Sequence, residues 1–148
     1  MSKAGSAGAR SRARELIIQA LYQKQLTGHD AQELVKQFKE RDEYRRADKE
    51  YFNETLPAIC DRQAALETKI AELADRPPSQ LDPVELAVLF LGFFELEDRQ
   101  DVPYRVVIDE SINLARRFGS VDGYKYVNAV LDKAAKKLRP NEAADTAK

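Results

Sequence analysis

The sequence predicts an all-α protein, and three observations carry that prediction. Ala, Leu, Glu, Lys, Arg and Gln dominate its 148 residues, and these residues lose least on entering a helix. Glycine and proline number only six each, too few for the turns of a β-sandwich or barrel. Apolar residues recur at three- and four-residue spacing through most of the chain. With 43% hydrophobic and 33% charged residues, the balance is that of a globular protein able to bury a core.

The elements follow in order. Residues 1–9 and 140–148 lack a long apolar face and read as flexible tails. A first helix is predicted over about 10–26, with Ala13, Leu16, Ile17, Ala20 and Leu21 in one stripe and Thr27-Gly28 as its stop. A second, over about 31–44, offers Ala31, Leu34, Val35 and Phe38. A third, over about 48–74, aligns Phe52, Leu56, Ile59, Leu66, Ile70 and Leu73. Pro57 lies inside it and predicts a kink or a split, because proline lacks the amide donor and crowds the preceding turn.

Asp75-Arg76-Pro77-Pro78-Ser79 is the clearest break, and it predicts two packed antiparallel helical subdomains, about 10–76 and 80–139. Beyond it, Asp82, Pro83 and Glu85 form a helix start, with Glu85 placed to complete a capping box. The helix that follows, 84–96, is apolar on nearly every side. A membrane span needs roughly 20 such residues, so this run reads as the buried central helix of a core. Asp101-Val102-Pro103 opens the next helix, with Tyr104, Val107, Ile108, Ala115 and Phe118 inward and Gly119 at its end. The last, about 121–138, places Tyr124, Val127, Leu131, Ala134 and Leu138 on one face.

The inventory of reactive groups is thin. Cys60 and His29 stand alone in their types, which excludes a disulfide framework and an all-Cys/His zinc site. A catalytic triad needs a nucleophile, a base and an orienting group, and His29 reads as a loop histidine, Cys60 as a packing residue. Neither a glycine-rich phosphate loop nor an H-E-x-x-H sequence is present. A non-enzymatic protein without cofactor is expected. Residues 1–9 have no apolar core of a secretory signal, which makes the cytoplasm the default location.

Charge is uneven within a net −1. Lys3, Arg10, Arg12 and Arg14 precede any acid, and Lys133, Lys136, Lys137 and Arg139 form a second basic cluster. Phosphate affinity grows with each charge neutralised, so such a chain should bind nucleic acid modestly and through one face. On a helix Arg10 and Arg14 share a side and Arg12 points elsewhere. Guanidinium groups there could fork to phosphates or stack on bases, and a solvated helix start explains them equally well. Residues 119–128 combine a turn, a helix start, Lys125, Tyr124 and Tyr126, with Lys125 and Tyr126 outward. Packing alone accounts for both tyrosines slightly better than RNA contact does. For Glu85, capping is a full explanation.

The same residues carry a resemblance. Ser11-Arg-Ala-Arg-Glu-Leu-Ile-Ile-Gln-Ala-Leu-Tyr22 is similar to the opening helix of NusB proteins. Asp101-Val-Pro-Tyr-Arg-Val-Val-Ile-Asp-Glu-Ser-Ile-Asn-Leu-Ala115 resembles a second family segment. Lys125-Tyr-Val-Asn-Ala-Val-Leu-Asp-Lys133, after Phe118-Gly119, resembles its most recognisable signature. The likeness spans residues 10–140.

The resemblance implies a NusB-like fold and a transcription antitermination factor. Such a factor binds boxA RNA of ribosomal RNA operons together with NusE, a small-subunit ribosomal protein, within an RNA polymerase antitermination complex. It implies RNA contact by Arg10, Arg12, Arg14, Asp122, Lys125 and Tyr126, and NusE contact near Glu85. Some NusB-like proteins form homodimers, which adds a second copy to the partners the resemblance allows. Ser11 interrupts the arginine run usual in the family, and Tyr126 stands where phenylalanine is common. The alternative is a helical scaffold that recruits NusE and touches RNA little. An RNA methyltransferase role, known for fused NusB-like domains, would need a catalytic domain that these 148 residues do not contain.

Overall fold

Helical periodicity becomes eight helices and no strand among residues 3–147, the part of the chain that the computed structural model describes. Side chains are described from 8 to 143. The chain forms two compact units, Met1–Arg62 and Gln63–Lys148.

The first unit holds α1 (Lys3–Thr27), α2 (Ala31–Lys39), a 3₁₀ turn (Asp42–Arg46) and α3 (Lys49–Asp61). Gly28, at φ 74°, ends α1, a conformation that costs glycine nothing, and its amide donates to the Lys24 carbonyl. Asp30 then starts α2 with a reciprocal capping box to Glu33. The apolar stripe predicted for α1 is buried to the last residue: Ala13, Leu16, Ile17, Ala20 and Leu21. Against it lie Leu34 and Phe38 of α2 and Phe52, Leu56 and Ile59 of α3, each a side chain whose burial contributes about 1.5–3 kcal/mol. Phe52 stacks on Phe38 at 6.0 Å and meets Tyr44 edge-on at 5.7 Å.

The second unit holds α4 (Gln63–Leu73), a 3₁₀ turn (Pro78–Gln80), α5 (Pro83–Asp98), α6 (Tyr104–Phe118), α7 (Gly123–Leu138) and α8 (Pro140–Ala147). Every residue of α5 from Glu85 to Leu96 is buried, as its all-round apolar sequence requires. It packs against α4, α6 and α7. At Gly92 a methyl group would meet Leu131 of α7 at 2.9 Å, so glycine sets how closely those helices approach.

Several expectations need correction. The helix predicted over 48–74 is two helices divided at Arg62, and the halves belong to different units. Pro57 does not divide it. Proline withholds its donor only from the Asn53 carbonyl, and both residues border a surface groove. The boundary between units thus falls at Arg62, ahead of the proline break at 75–79. The second predicted helix stops at Lys39 and continues as the 3₁₀ turn. Phe118 is 36% exposed, and Tyr124 is only half-buried.

The tails also differ. Helix α1 begins at Lys3, so most of the expected N-terminal tail is helical; Met1 and Ser2 lie outside the described residues, as does Lys148. Residues 140–147 form α8, and its start is anchored. Pro103, the N-cap of α6, has no side chain to cap with, and Glu142 accepts from the Tyr104 amide instead, at 2.7 Å. Arg139, counted in the second basic cluster, stands apart from its lysines at 4% exposure. Its guanidinium donates to the carbonyls of Leu96 (3.0 Å), Glu95 (2.9 Å), Arg99 (2.8 Å) and Val102, closing the C-terminal end of α5. A cation is favoured there, and its planar fork reaches several acceptors at once.

Candidate nucleic-acid interface

In the first unit the three N-terminal arginines divide. Arg10 and Arg14 do share a side of α1, and that side turns inward. The Arg10 Nε lies 3.0 Å from Asp48 Oδ2, and its guanidinium stacks 4.0 Å from the centre of the Tyr51 ring. Arg14 is 3% exposed, 5.9 Å from the same ring. Asp48 earns its place twice, because it also caps α3 by accepting from the Tyr51 amide at 3.0 Å. Arg12 is exposed. It borders a cleft of about 550 Å³ with Arg45 and Arg46 of the 3₁₀ turn, alongside Glu15, Asp42 and Glu43.

In the second unit the remaining candidates gather at the start of α7. Asp122 and Lys125 are exposed one turn apart, with Nζ 3.5 Å from Oδ1, an ion pair that water screens. Tyr126 is half-buried, and the Arg76 guanidinium lies 4.6 Å from its ring centre. Burial pushes the Tyr126 hydroxyl pKa up, with Arg76 opposing and Asp75 reinforcing. Arg116 stacks on Tyr124 at 4.2 Å, and Val121, at 91% exposure, stands on the turn between α6 and α7.

Glu85 departs from the capping role expected for it. It does not complete a capping box; Asp82 accepts from the amides of Val84 and Glu85, and the Glu85 carboxylate crosses to Ser120. It is also buried, at 7% exposure.

Sequence reasoning missed Arg45, Arg46, Arg76 and Arg116. The first two sit in an acid-rich stretch whose averaged charge hides them, and Arg76 adjoins the prolines of the break. An arginine within one or two residues of an irregular segment was the available signal. Among the described residues no group of three or more His, Cys, Asp or Glu could hold a metal ion, and no helix is long and apolar enough to cross a membrane. The arrangement offers cations and ring faces, the chemistry that phosphates and unpaired bases meet.

Residues 11–136 match the sequence profile described as the NusB family. The chain is 43% identical over 145 residues to Transcription antitermination protein NusB of Alcanivorax borkumensis, covering 98% of this chain and 97% of that protein. It is 47% identical over 133 residues to the protein of the same name from Halorhodospira halophila, covering 90% and 85%. Among solved structures it is similar to T. maritima NusB, with a TM-score of 0.75 and 29% identity over 92% of this chain and 96% of that one. The relatives carry the name of a transcription factor, not of an enzyme.

Proposed function

The chain belongs to the NusB family, and from that membership we propose that it is a transcription antitermination factor that binds boxA RNA with NusE. The observation that carries the RNA reading is the cluster at the start of α7: exposed Lys125 beside the Arg76–Tyr126 stack. Lys125 neutralises a phosphate. The outer face of Arg76, already stacked on one ring, takes an unpaired base on the other. Asp122 accepts from a base amino group and holds Lys125 in position. In the first unit, Arg12 with Arg45 and Arg46 supplies phosphate contact, because Arg10 and Arg14 are engaged inside. On a chain whose acids slightly outnumber its lysines and arginines, for a net −1, binding is weak alone and completed by NusE in the RNA polymerase complex, where nascent RNA is made.

Titration of labelled boxA RNA, with and without NusE, tests this. Lys125→Ala with Arg76→Ala should weaken binding about tenfold and lower the magnitude of the salt slope by roughly 0.7–1. Unchanged affinity and slope would refute the RNA assignment. The inward turn of Arg10 and Arg14 favours a second reading, a scaffold that recruits NusE while NusE holds the RNA. Undiminished NusE binding by variants without effect on RNA assembly would select it.

A further inference from the structure

A carboxylate in the first turn of a helix ordinarily serves that helix. Glu85 of α5 serves another. Asp82 already satisfies the Val84 and Glu85 amides, at 2.9 and 3.2 Å. Glu85 Oε2 accepts instead from the amide of Ser120 at 3.0 Å and from its hydroxyl at 2.7 Å. The turn around it is cut to its shape. A methyl group on Gly123 would lie 2.1 Å from Oε2, and one on Gly119 would lie 3.1 Å from it. The N-cap of α7, Asp122, makes no side-chain cap hydrogen bond. The buried carboxylate therefore lies against Gly123, the first residue of α7, at the helix end where negative charge is favoured and where the helix's own cap provides none.

We infer that Glu85 is a positioning residue for the RNA face: an internal cap that fixes the 119–123 turn and thereby sets where Asp122 and Lys125 stand. The inference rests on the RNA reading of α7. It also gives the buried carboxylate a partner, Ser120, in place of water. A turn held in one conformation loses less freedom when RNA orders it, so the held state binds more tightly.

Amide hydrogen exchange, boxA RNA titration and NusE affinity without RNA, each on full-length variants, decide it. Glu85→Ala should speed exchange at the Ser120 amide about tenfold or more. It should weaken RNA binding about tenfold while NusE affinity stays within about twofold. Glu85→Gln, which keeps shape and one acceptor but no charge, should fall between. Gly123→Ala should loosen the same amides, because its methyl group and the carboxylate cannot share the space. Adding Glu85→Ala to Gly123→Ala should cost little further protection at Ser120, because both changes remove the same contact, whereas two independent packing losses would add. Unchanged Ser120 exchange in Glu85→Ala would overturn the inference, as would a fall in NusE affinity with RNA binding intact. If Glu85→Ala fails to fold, Glu85→Gln and Gly123→Ala carry the same comparison. If Lys125→Ala leaves RNA binding untouched, the RNA reading fails, and exchange at Ser120 still decides whether Glu85 holds the turn.

Discussion

Burial pushes the Cys60 thiol above its ordinary value near 9.0, with Lys24 opposing and Asp61 and Asp30 reinforcing. In the unfolded chain this thiol ionises at the ordinary value; in the native protein it stays protonated to higher pH. Stability is therefore unaffected by this group below pH 9.0 and declines as pH rises past it. Iodoacetamide should label the native protein slowly at neutral pH and gain speed only on the alkaline side of that value. Labelling at the rate of a free thiol near neutrality would contradict the burial. Single residues also show what a sequence conceals. The spacing of Arg10 and Arg14 on one side of α1 was legible, but the partners that turn them inward, Asp48 and Tyr51, lie over 30 positions away. Glu85 is a parallel case. Its local context spells a capping box, and Ser120, 35 residues on, takes the carboxylate. Hydrophobic burial needs no such partner to be named, which is why the stripe of α1 and the all-round burial of α5 were readable in advance.

Helix ends divide in the same way. Two closed by their neighbours were legible: Gly28 behind α1 and Asp82 before α5. Those closed from a distance were not. The C-terminal carbonyls of α5 depend on Arg139, and the first amide of α6 on Glu142. Replacing Arg139 with Met should destabilise the protein by about 3 kcal/mol or more, since several carbonyls lose a charged donor and each such bond contributes roughly 1.5–3 kcal/mol before water enters. Arg139→Lys should recover only part, because an ammonium group cannot fork. Urea unfolding of the full chain measures both. A loss under about 1 kcal/mol for Arg139→Met would mean that water satisfies those carbonyls equally well. The division of the predicted 48–74 helix at Arg62 had no glycine or proline to announce it. Apolar spacing continues across it, and only the packing of α4 on α5 and α7 reveals that its second half serves another core.

For the molecule as a whole, a net charge of −1 sets the scale of any grip on RNA. If Arg12, Arg45, Arg46 and Lys125 each neutralise one phosphate, the logarithm of affinity should fall with the logarithm of salt at a slope of roughly −3, from about 0.7 per phosphate on a single strand. Titrations of boxA RNA across salt concentrations, on the chain alone, measure it. A slope near twice that value would mean that further exposed cations, such as Lys36, Lys39 and Lys133, also meet phosphate. The placement of Arg139 has a further consequence, one of timing. Gly28 behind α1, Asp30 before α2 and Asp48 before α3 all lie within the first unit, so those helix ends can close once that stretch has been made. Helix α5 has no such independence. The guanidinium that closes its C-terminal end is synthesised 43 residues after the Leu96 carbonyl it serves. While the chain grows on the ribosome, the most apolar helix of the protein stays open at one end until translation reaches residue 139.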